Sequence, residues 1–185
     1  MTHDLDGLGY KRICCRSDND AGLCKLLRLL KERWAGELIL EQTPEGDHNA
    51  NGSAECSVGL MKGHVRSVKI ALEEKIGCEI PATHNLMTWV VAFARSSYRK
   101  YHIGKDGRSP MERVFGRTPN GPAAHFGEAV WWKPLSPSSR PGALEERFQD
   151  GYFAGHVDGT TQYYVLTPTG AVRCRTICRK PDGEK

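Results

Sequence analysis

Leu23, Leu26, Leu27, Leu30 and Trp34 recur at helical spacing, which predicts a one-faced amphipathic helix over residues 21–34. Lys25, Arg28, Lys31 and Glu32 fall largely on its wet side, and Gly36 stops it. Residues 10–17 before it read as a short strand ending at Asp18, and either Asp18 or Asp20 can cap the helix. Leu38-Ile39-Leu40 predicts a short buried strand. Residues 43–53, with Pro44, Gly46, Asp47, Asn49, Asn51 and Gly52, predict a loop. A long helix is predicted over 53–76, with Val58, Met61, Val65, Val68 and Leu72 as its apolar stripe, and Gly77 ends it. Another is predicted over 83–102, with Leu86, Trp89, Val90, Phe93 and Ser97 inward and a basic cluster at its end: Arg99, Lys100, Lys105 and Arg108. Residues 109–117 predict one more short helix, with Pro110 in its first turn.

After Gly127 the period changes. Residues 129–135, 148–157, 162–167 and 171–179 read as strands separated by Pro-, Ser- and Gly-rich stretches. They predict a small antiparallel barrel or curled sheet of about five strands. Alternation along the last strand places Arg173, Arg175 and Arg179 on one face.

The chain has 185 residues, 39% hydrophobic and 26% charged, enough for one good core or a core with a small satellite domain. Its formal charge of +4 is compatible with nucleic acid and too small to argue for it alone. No apolar run approaches the roughly 20 residues of a membrane span, and the N-terminus has no signal-peptide pattern, so an intracellular protein is expected. The seven cysteines are scattered without a Cys-x-x-Cys pair; they are expected to be reduced thiols serving as small core hydrophobes.

The candidate chemistry lies in two acids. Asp18 comes just after a strand and Glu55 opens a long helix, and two carboxylates delivered by different elements can hold a hard cation such as Mg²⁺. Such a metal can activate water or a 3′-hydroxyl for attack on a phosphodiester. Asp20 competes with Asp18 for that role. Lys62, Arg66 and Lys69 return close to the azimuth of Glu55, forming a basic stripe able to track a phosphate backbone. Gly59 and Gly63 beside that stripe either admit something bulky or are merely tolerated. His48 and Asn51 in the preceding loop and Arg173, Arg175 and Arg179 are further candidate nucleic-acid contacts. Trp131-Trp132 is either a stacking platform for bases or a core pair.

The order strand, Ser17-Asp18-Asn19, helix, strand, Pro/Gly loop, Asn51-Gly52-Ser53-Ala54-Glu55, long basic helix resembles the integrase core of retroelements, copia-type retrotransposons in particular. Four later segments are similar to the region C-terminal to that core in the same polyproteins: Lys105 to Arg113, Phe126-Gly127-Glu128-Ala129-Val130, Gly151-Tyr152-Phe153-Ala154-Gly155, and Gly170 to Thr176. The resemblance covers residues 9–181. It implies an α/β fold in which residues 1–103 form a partial ribonuclease-H-like catalytic core, its C-terminal half. It further implies a helical connector at 104–126, a small antiparallel β-barrel at 127–181 and a tail at 182–185. The family's activity is DNA integration: 3′-end processing and strand transfer by Mg²⁺ or Mn²⁺ held on three acids. Two of those acids map onto Asp18 and Glu55. Element and target DNA are the implied partners, with a homo-oligomer as the working form. The implied location is nuclear for integration and cytoplasmic before it, with no membrane association.

The chain also departs from the family. No strand carrying the first Asp precedes Tyr10; Asp4 and Asp6 lie in a Gly-flanked tail. Cys56 stands where the family has a basic residue, and His48 where it has Gln. The expectation is therefore a truncated integrase, inactive alone, with an exposed sheet edge and an incomplete core. The alternatives are a non-catalytic nucleic-acid-binding protein and an inactive remnant of the element.

Overall fold

The computed structural model describes residues 2–43, 52–118, 124–135, 144 and 146–181. They fall into two compact units, Met1–Leu60 and Met61–Lys185.

The first unit holds α1 (Thr2–Gly7), β1 (Arg12–Ser17), α2 (Ala21–Arg33) and β2 (Glu37–Gln42), and the start of α3 (Gly52–Ile76). β1 and β2 are parallel, in register from Arg12↔Glu37 to Ser17↔Gln42, with α2 as the crossover that parallel pairing requires. Leu27, Leu30, Trp34 and Leu38 are buried together, with Leu5, Ile13, Cys15, Leu23 and Leu40 packed against them. Leu26 is exposed instead of joining this stripe, because it lies about 60° off the line through Leu23, Leu27, Leu30 and Trp34. The other face of the strand pair is charged: Arg12 pairs with Glu37 at 3.3 Å and Arg16 with Glu41 at 3.0 Å. Exposed pairs of this kind add little stability, but they keep a two-stranded sheet from recruiting a stray strand. The N-terminal segment is helical and packed: Asp6 Oδ1 accepts the Trp34 indole N–H at 2.8 Å.

Asp20 is the N-cap of α2, and its Oδ1 accepts the Leu23 N–H at 2.8 Å. Asp20→Ala is expected to lower stability by about 1 kcal/mol in urea unfolding; no measurable change would contradict the cap.

In the second unit the later part of α3 joins α4 (Leu86–Tyr101), α5 (Pro110–Phe115) and five strands: β3 (Ala129–Trp132), β4 (Gln149–His156), β5 (Tyr163–Thr167), β6 (Gly170–Cys174) and β7 (Ile177–Arg179). The strands form one antiparallel sheet in the order β6-β5-β4-β3-β7. In a flat sheet, spacings of about 4.8 Å would hold the two edges about 19 Å apart. Only Arg175 and Thr176 separate β6 from β7, and three Cα–Cα steps reach at most about 11 Å. The sheet must therefore roll up. Among the described residues β6 and β7 do not pair, so the expected barrel is not closed.

Two glycines make the roll possible. A Cβ on Gly151 would meet Val165 Cγ1 at 2.4 Å and Trp132 Cδ1 at 3.0 Å. Gly155, at φ +131°, sits where β4 shifts register against β5, and Phe93 packs on it. The Gly-x-Phe-x-Gly run thus encodes a bend, with Phe153 fully buried between the glycines. Two neighbouring cores result. Val130, Trp132, Phe153, Tyr163, Val165, Cys174 and Ile177 fill the curl. Leu72, Ile80, Val90, Phe126 and Ala154 join α3 and α4 to the sheet.

The stripe predicted on α3 is only partly used. Leu72 is buried and Val65 and Val68 pack beside it, whereas Val58 is 53% exposed. α5 carries a full capping box. Ser109 Oγ accepts the Glu112 N–H, Glu112 Oε2 accepts the Ser109 N–H at 2.6 Å, and Pro110 opens the helix. The cysteine expectation fails for most of the set: Cys174 is buried, but Cys14, Cys56, Cys78 and Cys178 are exposed.

Candidate nucleic-acid interface and acid pair

Asp18 comes directly after the last residue of β1. Its turn is fixed by its neighbours: Ser17 O accepts both the backbone N–H and the hydroxyl of Thr43, at 2.9 and 3.0 Å. Asn19 Nδ2 donates to Thr43 O at 3.3 Å, and Cys24 Sγ approaches Asp18 O at 3.8 Å. With Asp20 committed to the helix cap, Asp18 is the acid of this turn whose carboxylate has no partner among the described residues. Glu55 lies in the first turn of α3 and is exposed, where its charge complements the helix N-terminus. Among the described residues neither Asp18 nor Glu55 makes a side-chain hydrogen bond or ion pair. No group of three or more His, Cys, Asp or Glu placed to hold a metal ion occurs among the described residues. His48 and Asn51 lie outside them.

The α3 stripe divides. Lys62 and Arg66, one turn apart, are exposed and make no ion pair among the described residues. Lys69 is held by Glu73 at 2.6 Å with its side chain three-quarters covered. Glu73 also accepts the Ile80 N–H at 2.6 Å, so this pair ties α3 to the segment after it. The Ile80 N–H and the Lys69 ammonium hold the Glu73 carboxyl below its usual range. A Cβ on Gly59 or Gly63 would meet nothing within 4 Å, so among the described residues these glycines serve no close approach.

The three arginines expected on one face are separated by the break between β6 and β7. Arg173 lies over the Tyr164 ring, 5.5 Å from its centroid. Arg175 stands in the break itself and is exposed. Arg179 is bound to the buried Glu128, Nε at 2.5 Å and Nη2 at 3.2 Å. Period-2 alternation holds only as far as Cys174, and the roll of the sheet overrides it. The two tryptophans differ: one is core and the other half-buried. Trp132 is in the core with its indole N–H on Asp150 O at 3.2 Å, and Lys180 covers Trp131.

Two features have little sequence signal. Glu128 is an acid next to a strand, and nothing in the sequence pairs it with Arg179 across 51 residues. Arg99, Lys100 and His156 meet at one wall, and of these only the adjacent bases at a helix end stand out in the sequence.

The second unit is a mixed helix-and-sheet domain and the first a parallel β-α-β unit. Among the described residues no helix is long and apolar enough to cross a membrane. No protein-family model matches the chain, and no curated protein matches it.

Proposed function

We propose that this chain is a DNA-handling protein of the retroelement integrase type: the C-terminal half of a ribonuclease-H-like core joined to a rolled sheet domain. The parent activity is DNA integration. The observation that carries the reading is the β-α-β unit whose first strand leads to Asp18, without a side-chain partner among the described residues, together with a 25-residue helix that has Glu55 in its first turn. DNA would lie on Lys62 and Arg66, which are exposed and make no ion pair among the described residues. Each phosphate contact releases counterions and carries no sequence readout.

The donor set does not fit the two-metal centre that Mg²⁺ or Mn²⁺ would need for strand transfer. Among the described residues no third acid joins Asp18 and Glu55 in a metal-holding group, and Asp6 and Asp20 are engaged elsewhere. The role left to the described residues is binding and positioning of DNA, without cutting it. The purified chain is expected to leave supercoiled plasmid intact in Mg²⁺ or Mn²⁺, and Glu55→Gln is expected to behave identically. Metal-dependent nicking that disappears in Glu55→Gln would overturn this reading and restore an enzyme.

A further inference from the structure

A cleft of about 840 Å³ opens in the second unit between the C-terminal end of α4, α5 and the β4–β5 turn. One wall is cationic. Lys100 is 8% exposed, and among the described residues its ammonium makes no hydrogen bond or ion pair. Taking a charge partly out of water without a close counter-charge is costly. Burial first, and then the adjacent Arg99, push its pKa down to about 8, while Asp158 pulls it back up from longer range. Asp158 is already shared between Arg99, at 2.5 Å, and Arg95, at 3.5 Å.

The same wall carries further unused polar atoms. Arg99 Nε and His156 Nε2 are buried, and neither has a hydrogen-bond partner among the described residues. Burial, aided by Lys100, holds the His156 imidazole down to about 4 against the pull of Asp158, so it is neutral near pH 7. The lining also includes apolar and aromatic side chains, Met111, Phe115, Val157 and Tyr163, the last with its ring 5.1 Å from that of His156. A cleft of this size, with a few convergent polar groups and an apolar plate, has the make-up of a small-ligand site.

We propose that this cleft binds a nucleoside phosphate, its phosphate on Lys100 beside Arg99 and His156 and its base against Phe115 and Met111. The phosphate supplies the counter-charge that Lys100 lacks, and the apolar plate selects a nucleotide over the bare anion. The nucleotide is either free or a unit of a strand. The site involves neither Asp18 nor Glu55, so it stands or falls apart from the integrase reading.

The test is calorimetric titration of the full chain with thymidine 5′-monophosphate, thymidine, inorganic phosphate and an oligothymidylate of about eight nucleotides. Thymidine 5′-monophosphate should bind more tightly than either thymidine or inorganic phosphate. Lys100→Met should weaken it by about tenfold or more, with a melting temperature in phosphate-free buffer no lower than the parent chain's. Phe115→Ala should weaken the nucleotide and leave inorganic phosphate unchanged. Displacement of the mononucleotide by the oligothymidylate identifies a strand unit as the ligand; failure to displace it identifies a free nucleotide. No binding of the mononucleotide, equal binding by Lys100→Met, or equal affinity for inorganic phosphate would overturn the assignment.

Discussion

Glu128→Ala should lower the unfolding free energy of the chain by about 3 kcal/mol. Glu128 is 1% exposed, and its carboxylate accepts from Arg179 Nε and Nη2 and from the His125 N–H at 2.9 Å. Its backbone carbonyl takes the Phe153 N–H at 2.8 Å, so the residue sits where the chain enters the sheet. Removing the carboxylate strands the His125 N–H and takes away the acceptor of Arg179 Nε and Nη2. Arg179 is about two-fifths exposed and can turn to water, which places the loss at the lower end of what breaking a buried pair costs. Glu128→Gln keeps an acceptor for His125 and should lose less. Urea unfolding measures both. The same pair decides the role of Arg179: Arg179→Ala should destabilise the chain and leave DNA affinity unchanged. A stable Arg179→Ala variant with weakened DNA binding would return Arg179 to the nucleic-acid interface.

Phe153→Ala should cost about 4 kcal/mol, the usual loss when a fully enclosed aromatic is truncated and its cavity cannot collapse. Phe153 is 0% exposed and meets Phe93 edge-on at a centroid distance of 6.2 Å, with His156 at 5.6 Å and Tyr163 at 6.1 Å. The bend at Gly151 and Gly155 keeps its surroundings from closing over the gap. His156 and Tyr163 also line the cationic cleft, so the variant should lose nucleotide binding together with stability. A loss below about 1 kcal/mol would mean that the curl relaxes around the cavity.

Sequence periodicity finds most elements here because each buries a clear face. Leu23, Leu27, Leu30 and Trp34 on α2, and Leu86, Trp89, Val90 and Phe93 on α4, pack where their spacing places them. It misjudges α3, because a stripe predicts burial only where something lies against it, and Val58 has no such cover. It reads 171–179 as one strand because alternation carries no sign of the break at Arg175-Thr176. The motifs carrying the family resemblance have local physical causes: a capping box at Ser109 and Glu112, and a sheet bend at Gly151 and Gly155. Only the helix cap distinguishes Asp20 from Asp18. Charges committed in pairs, Lys69 with Glu73 and Arg179 with Glu128, leave no trace in the sequence, since nothing in composition says which basic residues are already neutralised.

DNA binding through Lys62 and Arg66 without a metal centre is tested most directly by fluorescence anisotropy of a labelled duplex across a salt series, with and without EDTA. The expected result is binding whose logarithm falls linearly with the logarithm of salt and does not respond to EDTA. Lys62→Ala with Arg66→Ala should weaken it and reduce the slope by about two. No binding at low salt, an unchanged slope in the double variant, or binding abolished by EDTA would contradict the account.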